Sequence, residues 1–148
     1  MTRAMLLFAV LFTIAAPSRA ALGDVEASVD ADEQRFLPAE TKVSEHGLYR
    51  LHEMTRGDGS LIREYVSGEG KVFGVSWKGP VMPDLSQLLG SHFTTFRDSA
   101  KQKAGRRRLT VVNSGDLVVE SSGHPRAFFG RAYLKSMLPA GVAAETVQ

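Results

Sequence analysis

Between Tyr49 and Leu134 the side-chain period changes twice, and this constrains the fold more than any single motif does. Gly47 to Met54, Leu61 to Val66 and Val72 to Trp77 read as strands, separated by turns at Thr55-Arg56-Gly57-Asp58-Gly59-Ser60 and Ser67-Gly68-Glu69-Gly70. In the third run Val72, Gly74 and Ser76 are expected on one face, with Phe73, Val75 and Trp77 on the other. Such short loops make a three-stranded antiparallel meander, which Gly79-Pro80 and Pro83 end. After Pro83 the period becomes helical: Leu85, Leu88, Leu89, His92, Phe93 and Phe96 form one stripe, with Asp84 as N-cap. This predicts one long helix to about Lys103, with Gly105 as its stop and Lys101, Lys103 and Arg106-Arg107-Arg108 complementing its negative end. Extended runs return at Leu109 to Asn113, Leu117 to Ser121 and Arg126 to Leu134.

The expected order is (α)βββαβββ. It describes an α+β fold in which two three-stranded meanders, in one sheet or two, pack a mostly antiparallel surface against one long amphipathic helix. The optional first helix comes from residues 21–44, an acidic segment in which Val29, Glu33, Phe36 and Leu37 share a face. Ser28 is its candidate N-cap and Pro38 its stop, with a linker after it. The remainder, residues 45–148, is long enough for a single core-bearing domain.

The first twenty residues have the layout of a secretory signal peptide. Arg3 precedes an uncharged apolar run from Ala4 to Ala16, Pro17 breaks it, and Ser18 and Ala20 sit at −3 and −1 of a cut before Ala21. The run is shorter than the ~20 apolar residues of a spanning helix, and no later segment reaches that length. An exported product, periplasmic or secreted, is expected. With the leader removed, the +2 formal charge of the full chain disappears. The remaining charge is split: residues 21–69 are acid-rich and residues 70–148 base-rich. That asymmetry would steer the halves together, leave a dipolar surface that favours weak self-association, or be dispersed by the sheet.

Zero cysteine removes disulfides, thiolate metal sites and thiol nucleophiles. Four histidines are too scattered to fix a metal, because no HxH, HxxxH or HExxH spacing occurs, although His46, His52 and Met54 share a strand face. No cofactor is expected. Arg56-Gly57-Asp58 reads as a hairpin turn, Gly68-Glu69-Gly70 misses a phosphate loop, and no GxSxG elbow is present. Arg106-Arg107-Arg108 is one short basic cluster with no groove marked around it, so nucleic acid is not an expected partner.

The most distinctive stretch runs from Gly123 to Tyr133. Arg126 is expected to begin a strand in which Phe129, Arg131 and Tyr133 share a face. Two guanidiniums beside the His124 imidazole and aromatic rings suit a carboxylate, a phosphate or a sugar edge. Cross-strand pairing of the arginines with Glu64, Glu120 or Asp116 is the plainer use of the same charges.

Taken as a set, Ala21-Leu22-Gly23, Arg63-Glu64-Tyr65-Val66, Gly70-Lys71-Val72-Phe73, Trp77, Pro83-Asp84-Leu85, Leu88-Leu89-Gly90, Asp116 to Glu120, Gly123-His124 and Arg126 to Tyr133 are distinctive. The chain resembles a family of small exported proteobacterial proteins known as domain of unknown function twenty-eight forty-four. The resemblance covers nearly all of the mature chain, with Pro125 where methionine is usual. It implies export and carries over no catalytic residue.

The expected function is a non-enzymatic accessory or binding domain. It would hold a cell-envelope protein or envelope component through the sheet face and loops around Trp77, His124, Arg126, Arg131 and Tyr133. Two rivals stand beside it: an envelope hydrolase using His124 with Asp84 or Glu64, and a structural subunit or folding partner.

Overall fold

A computed structural model describes residues 22–102 and 109–148. The leader, residues 1–20, lies outside the described residues, as do Lys103, Gly105 and Arg106-Arg107-Arg108. Among the described residues, seven antiparallel strands form one sheet in the order β1-β2-β3-β4-β7-β6-β5. The strands are β1 (Glu40–Glu45), β2 (Tyr49–Thr55), β3 (Leu61–Ser67), β4 (Val72–Gly79), β5 (Leu109–Ser114), β6 (Leu117–His124) and β7 (Ala127–Leu134). The fold is α+β, with two differences from the expected order.

The first meander has four strands, because Glu40–Glu45 pairs with β2 along its whole length. Its sequence, ETKVSE, is almost entirely exposed, so no apolar alternation announces it. The two meanders then meet where β4 pairs with β7, from Gly74↔Tyr133 to Gly79↔Phe128. That seam resolves the choice between one sheet and two.

The expected long helix is broken. Asp84 caps its start as anticipated, its carboxylate accepting from the amides of Ser86 at 2.9 Å and Gln87 at 3.3 Å. The first segment, α2 (Leu85–Leu89), stops at Gly90, whose φ of 50° leaves helical geometry. A 3₁₀ turn at Gly90–His92 leads into the next segment, α3 (Phe93–Gln102). The apolar stripe survives the break, since Leu88, Leu89 and Phe96 are buried and Leu85 and Phe93 pack against the core. Ahead of the sheet, α1 (Val29–Phe36) follows a 3₁₀ turn and ends where Leu37 turns left-handed at φ 46° before Pro38. Its buried face is Val29, Asp32 and Phe36, in place of the expected Glu33 and Leu37, and the Ser28 hydroxyl donates to the Val25 carbonyl instead of capping the helix.

Side chains from α1, α2 and α3 share one core with Met54, Ile62, Val66, Val75, Trp77 and Val119 on the inner sheet face. A bulge decides which residues of β4 join them. Tyr65 pairs with Gly74 but Val66 with Val72, so Phe73 is the extra residue. Val72, Val75 and Trp77 therefore face the helices, while Phe73 joins Tyr65 on the outer face with Gly74 and Ser76. The outer face has its own small core of Tyr65, Phe73 and Val147, flanked by Tyr49, Leu51 and Tyr133. Val147 brings the C-terminal segment across the sheet. It rests over Gly74, where any Cβ would come within 2.7 Å of its methyl group.

Candidate functional site

The C-terminal segment covers only part of the outer face. Beside it a cleft of about 520 Å³ remains, in the size range of ligand sites. β3, β4, β5 and β7 supply its apolar and cationic side chains: Leu61, Leu109, Phe129, Arg63, Lys78 and Arg131. Ser76, Ser122 and Glu120 add polar groups, and Gln148 closes one side. Phe129 and Leu109 are about half exposed, at 53% and 51%.

Both guanidiniums are held in the same way. Arg131 donates through Nε to Glu120 Oε2 at 2.9 Å, and through Nη1 to the carbonyls of Ala144 at 3.2 Å and Val147 at 3.3 Å. Glu120, its cross-strand neighbour, raises the Arg131 pKa further above its already high value. Arg63 donates through Nε to Glu53 at 2.8 Å, and through Nη1 to the Gln148 carbonyl at 2.9 Å. The Tyr65 hydroxyl donates to that carbonyl at 2.8 Å and accepts from the Gln148 amide at 3.1 Å. The Lys78 side chain is exposed, and its ammonium has no hydrogen-bond or ion-pair partner among the described residues.

The expected site residues are divided by the sheet. Phe129, Arg131 and Tyr133 share the outer face as the period implied, and the Arg131 guanidinium lies 5.9 Å from the centre of the Tyr133 ring. Trp77 borders the cleft through its strand, but parity sends its indole to the helix side. There it packs on Gly130, where a Cβ would lie 2.3 Å from the ring. His124 and Arg126 are outside the cleft lining. Arg126 does not begin a strand: it sits in the β6–β7 turn at φ 71°, exposed, and β7 starts at Ala127. The His124 ring nitrogen Nδ1 is 3.2 Å from the Pro125 carbonyl, to which it donates when it carries the proton.

The carboxylates weighed as partners for His124 are engaged elsewhere. Asp84 caps α2, and Glu64 is buried on the inner face, hydrogen-bonded to Asp32. Of the carboxylates expected to pair with the arginines, Asp116 binds Ser136, and Glu120 pairs with Arg131, the plainer cross-strand use of that charge. Arg63, Lys78, Leu61 and Leu109 escaped the sequence reading. They lie on three strands, β3, β4 and β5, and only the β4–β7 seam brings Leu109 to the face that Leu61, Arg63 and Lys78 share. Among the described residues, no group of three or more His, Asp or Glu is arranged to hold a metal.

The family described as protein of unknown function (DUF2844) matches residues 18–147. The chain belongs to this family. No curated protein and no solved structure matches it. The DUF2844 match spans every strand and helix described above, so the sheet, the C-terminal segment up to Val147 and every cleft residue but Gln148 lie within the family's extent. No helix among the described residues is long and apolar enough to cross a membrane.

Proposed function

We propose that this DUF2844 protein is an exported, non-enzymatic binding domain, periplasmic or secreted, that holds an anionic partner of the cell envelope in the outer-face cleft. The observation that carries the reading is the composition of the cleft. An exposed lysine and two arginines stand among Leu61, Leu109 and Phe129, and among the described residues His124 has no carboxylate partner there. Apolar walls with a few placed polar groups are the general form of a binding site. Arg3, the apolar run to Ala16 and the small residues Ser18 and Ala20 support export.

Two measurements test this. N-terminal sequencing of the exported chain is expected to begin at Ala21; an intact Met1 on the exported chain overturns the leader. Envelope extract passed over immobilised protein is expected to leave a retained component that a Lys78→Glu/Phe129→Ser double variant, folded by circular dichroism, fails to hold. Equal retention by the variant overturns the cleft as the site.

A further inference from the structure

We infer that the occupant of the cleft is an extended, acidic segment of a partner protein, in which an apolar side chain is flanked by carboxylates. This rests on the cleft being the binding site, and goes beyond it in naming the ligand's chemistry.

The outer face already binds one peptide, its own C-terminal segment, and shows how it does so. Val147 fills the notch left by Gly74, while Arg131 and Arg63 donate to the carbonyls of Ala144, Val147 and Gln148. An apolar side chain in a sheet-face notch, with arginines on main-chain oxygens, is a peptide-binding arrangement. The bare half of the face continues it without a break, because Arg63, Arg131 and Gln148 belong both to the seat of that segment and to the cleft lining. Each guanidinium has spent Nε and Nη1 and retains Nη2, which has no partner among the described residues.

Charge selects the sign of the segment. The carboxylates of Glu53 and Glu120 offset the two arginines, and Lys78 has no ion-pair partner among the described residues. Phe129 and Leu109, half exposed on the same face, give an apolar side chain a place to lie. A ligand needs acceptors for the remaining N–H groups, a negative charge for Lys78 and an apolar group for Phe129, and an acidic-apolar peptide supplies all three.

The test is a titration of the isotope-labelled full chain with three probes: a peptide of Asp-Leu-Phe-Asp repeats, the same peptide with lysine for aspartate, and vesicles of anionic phospholipid. The acidic peptide is expected to shift the amide signals of Lys78, Phe129 and Arg131. The lysine peptide should bind at least about tenfold more weakly, as should the acidic peptide to the Lys78→Glu variant. Equal binding of the two peptides overturns the inference. Vesicles that shift the cleft signals when neither peptide does overturn the peptide class and leave the cleft reading standing. Cleft signals unmoved by all three probes remove both.

Discussion

Glu64 and Asp32 meet carboxyl to carboxyl beneath α1, at 1% and 0% exposure. Gln87 from α2 donates to Asp32 Oδ1, and Asp32 Oδ2 and Glu64 Oε2 have no other partner, so a proton between the carboxyls satisfies both. Burial raises the Asp32 pKa to about 6, against the lowering influence of Gln87 and Arg35. Burial, then Asp32 itself, raises Glu64 well above its ordinary value. In the unfolded chain both ionise near pH 4, so the folded state holds more protons above that pH. The stability contributed by the protonated pair is complete below about pH 4 and falls as pH rises through 6 and beyond. Glu64→Gln keeps a donor to Asp32 and removes the need for the proton. Its urea midpoint should gain on the parent's between pH 5 and pH 8, and a gap that stays constant with pH would contradict the shared proton. A second single-residue test is Gly130→Ala, whose new methyl meets the Trp77 ring at 2.3 Å and the Glu120 carbonyl at 2.6 Å. Overpacking of this kind costs about 1–3 kcal/mol, read as a lower midpoint with a change in Trp77 emission.

Among the elements, the C-terminal segment makes the sharpest prediction. Gly74→Ala places a Cβ 2.7 Å from a Val147 methyl while remaining 3.6 Å from the nearest backbone atom, the Ala132 carbonyl. The segment should lift, at a cost of about 1–3 kcal/mol, and the Val142 and Val147 amides should exchange faster while those of β3 and β7 keep their protection. Uniform loosening of the sheet would refute a separately seated segment. Legibility at this scale followed burial. The stripe from Leu85 to Phe96 was readable because it is an apolar helical pattern, and six strands were readable from turns and β-branched runs. β1 was not, because an edge strand held by backbone pairing to β2 needs no apolar face. The faces of β4 were misassigned because a one-residue bulge at Phe73 is a property of pairing with β3, and period-2 counting runs straight through it.

For the molecule as a whole, joining the two meanders through β4 and β7 makes a single cooperative unit. Trp77 lies on β4 at that seam, opposite Gly130, so tryptophan emission and far-ultraviolet circular dichroism should report one coincident urea transition. Two separated transitions would show that the meanders unfold independently. Among the described residues the charge split makes no ion pair between the halves: Arg50 with Glu26, Arg63 with Glu53 and Arg131 with Glu120 each pair within their own half. The cleft was the least legible feature, since Arg63, Lys78 and Arg131 come together only once distant strands are neighbours.

The seam also sets a timetable. As the chain emerges N-terminus first, β4, buried from Val72 to Trp77, has β3 on one side at once, but its other partner is about 50 residues further along. Until β7 arrives, the most buried of the described strands offers a bare row of amides and carbonyls to any neighbouring chain. Folding speed should therefore be governed by one late, long-range docking event, and crowded nascent chains should associate through β4 before they associate through anything else.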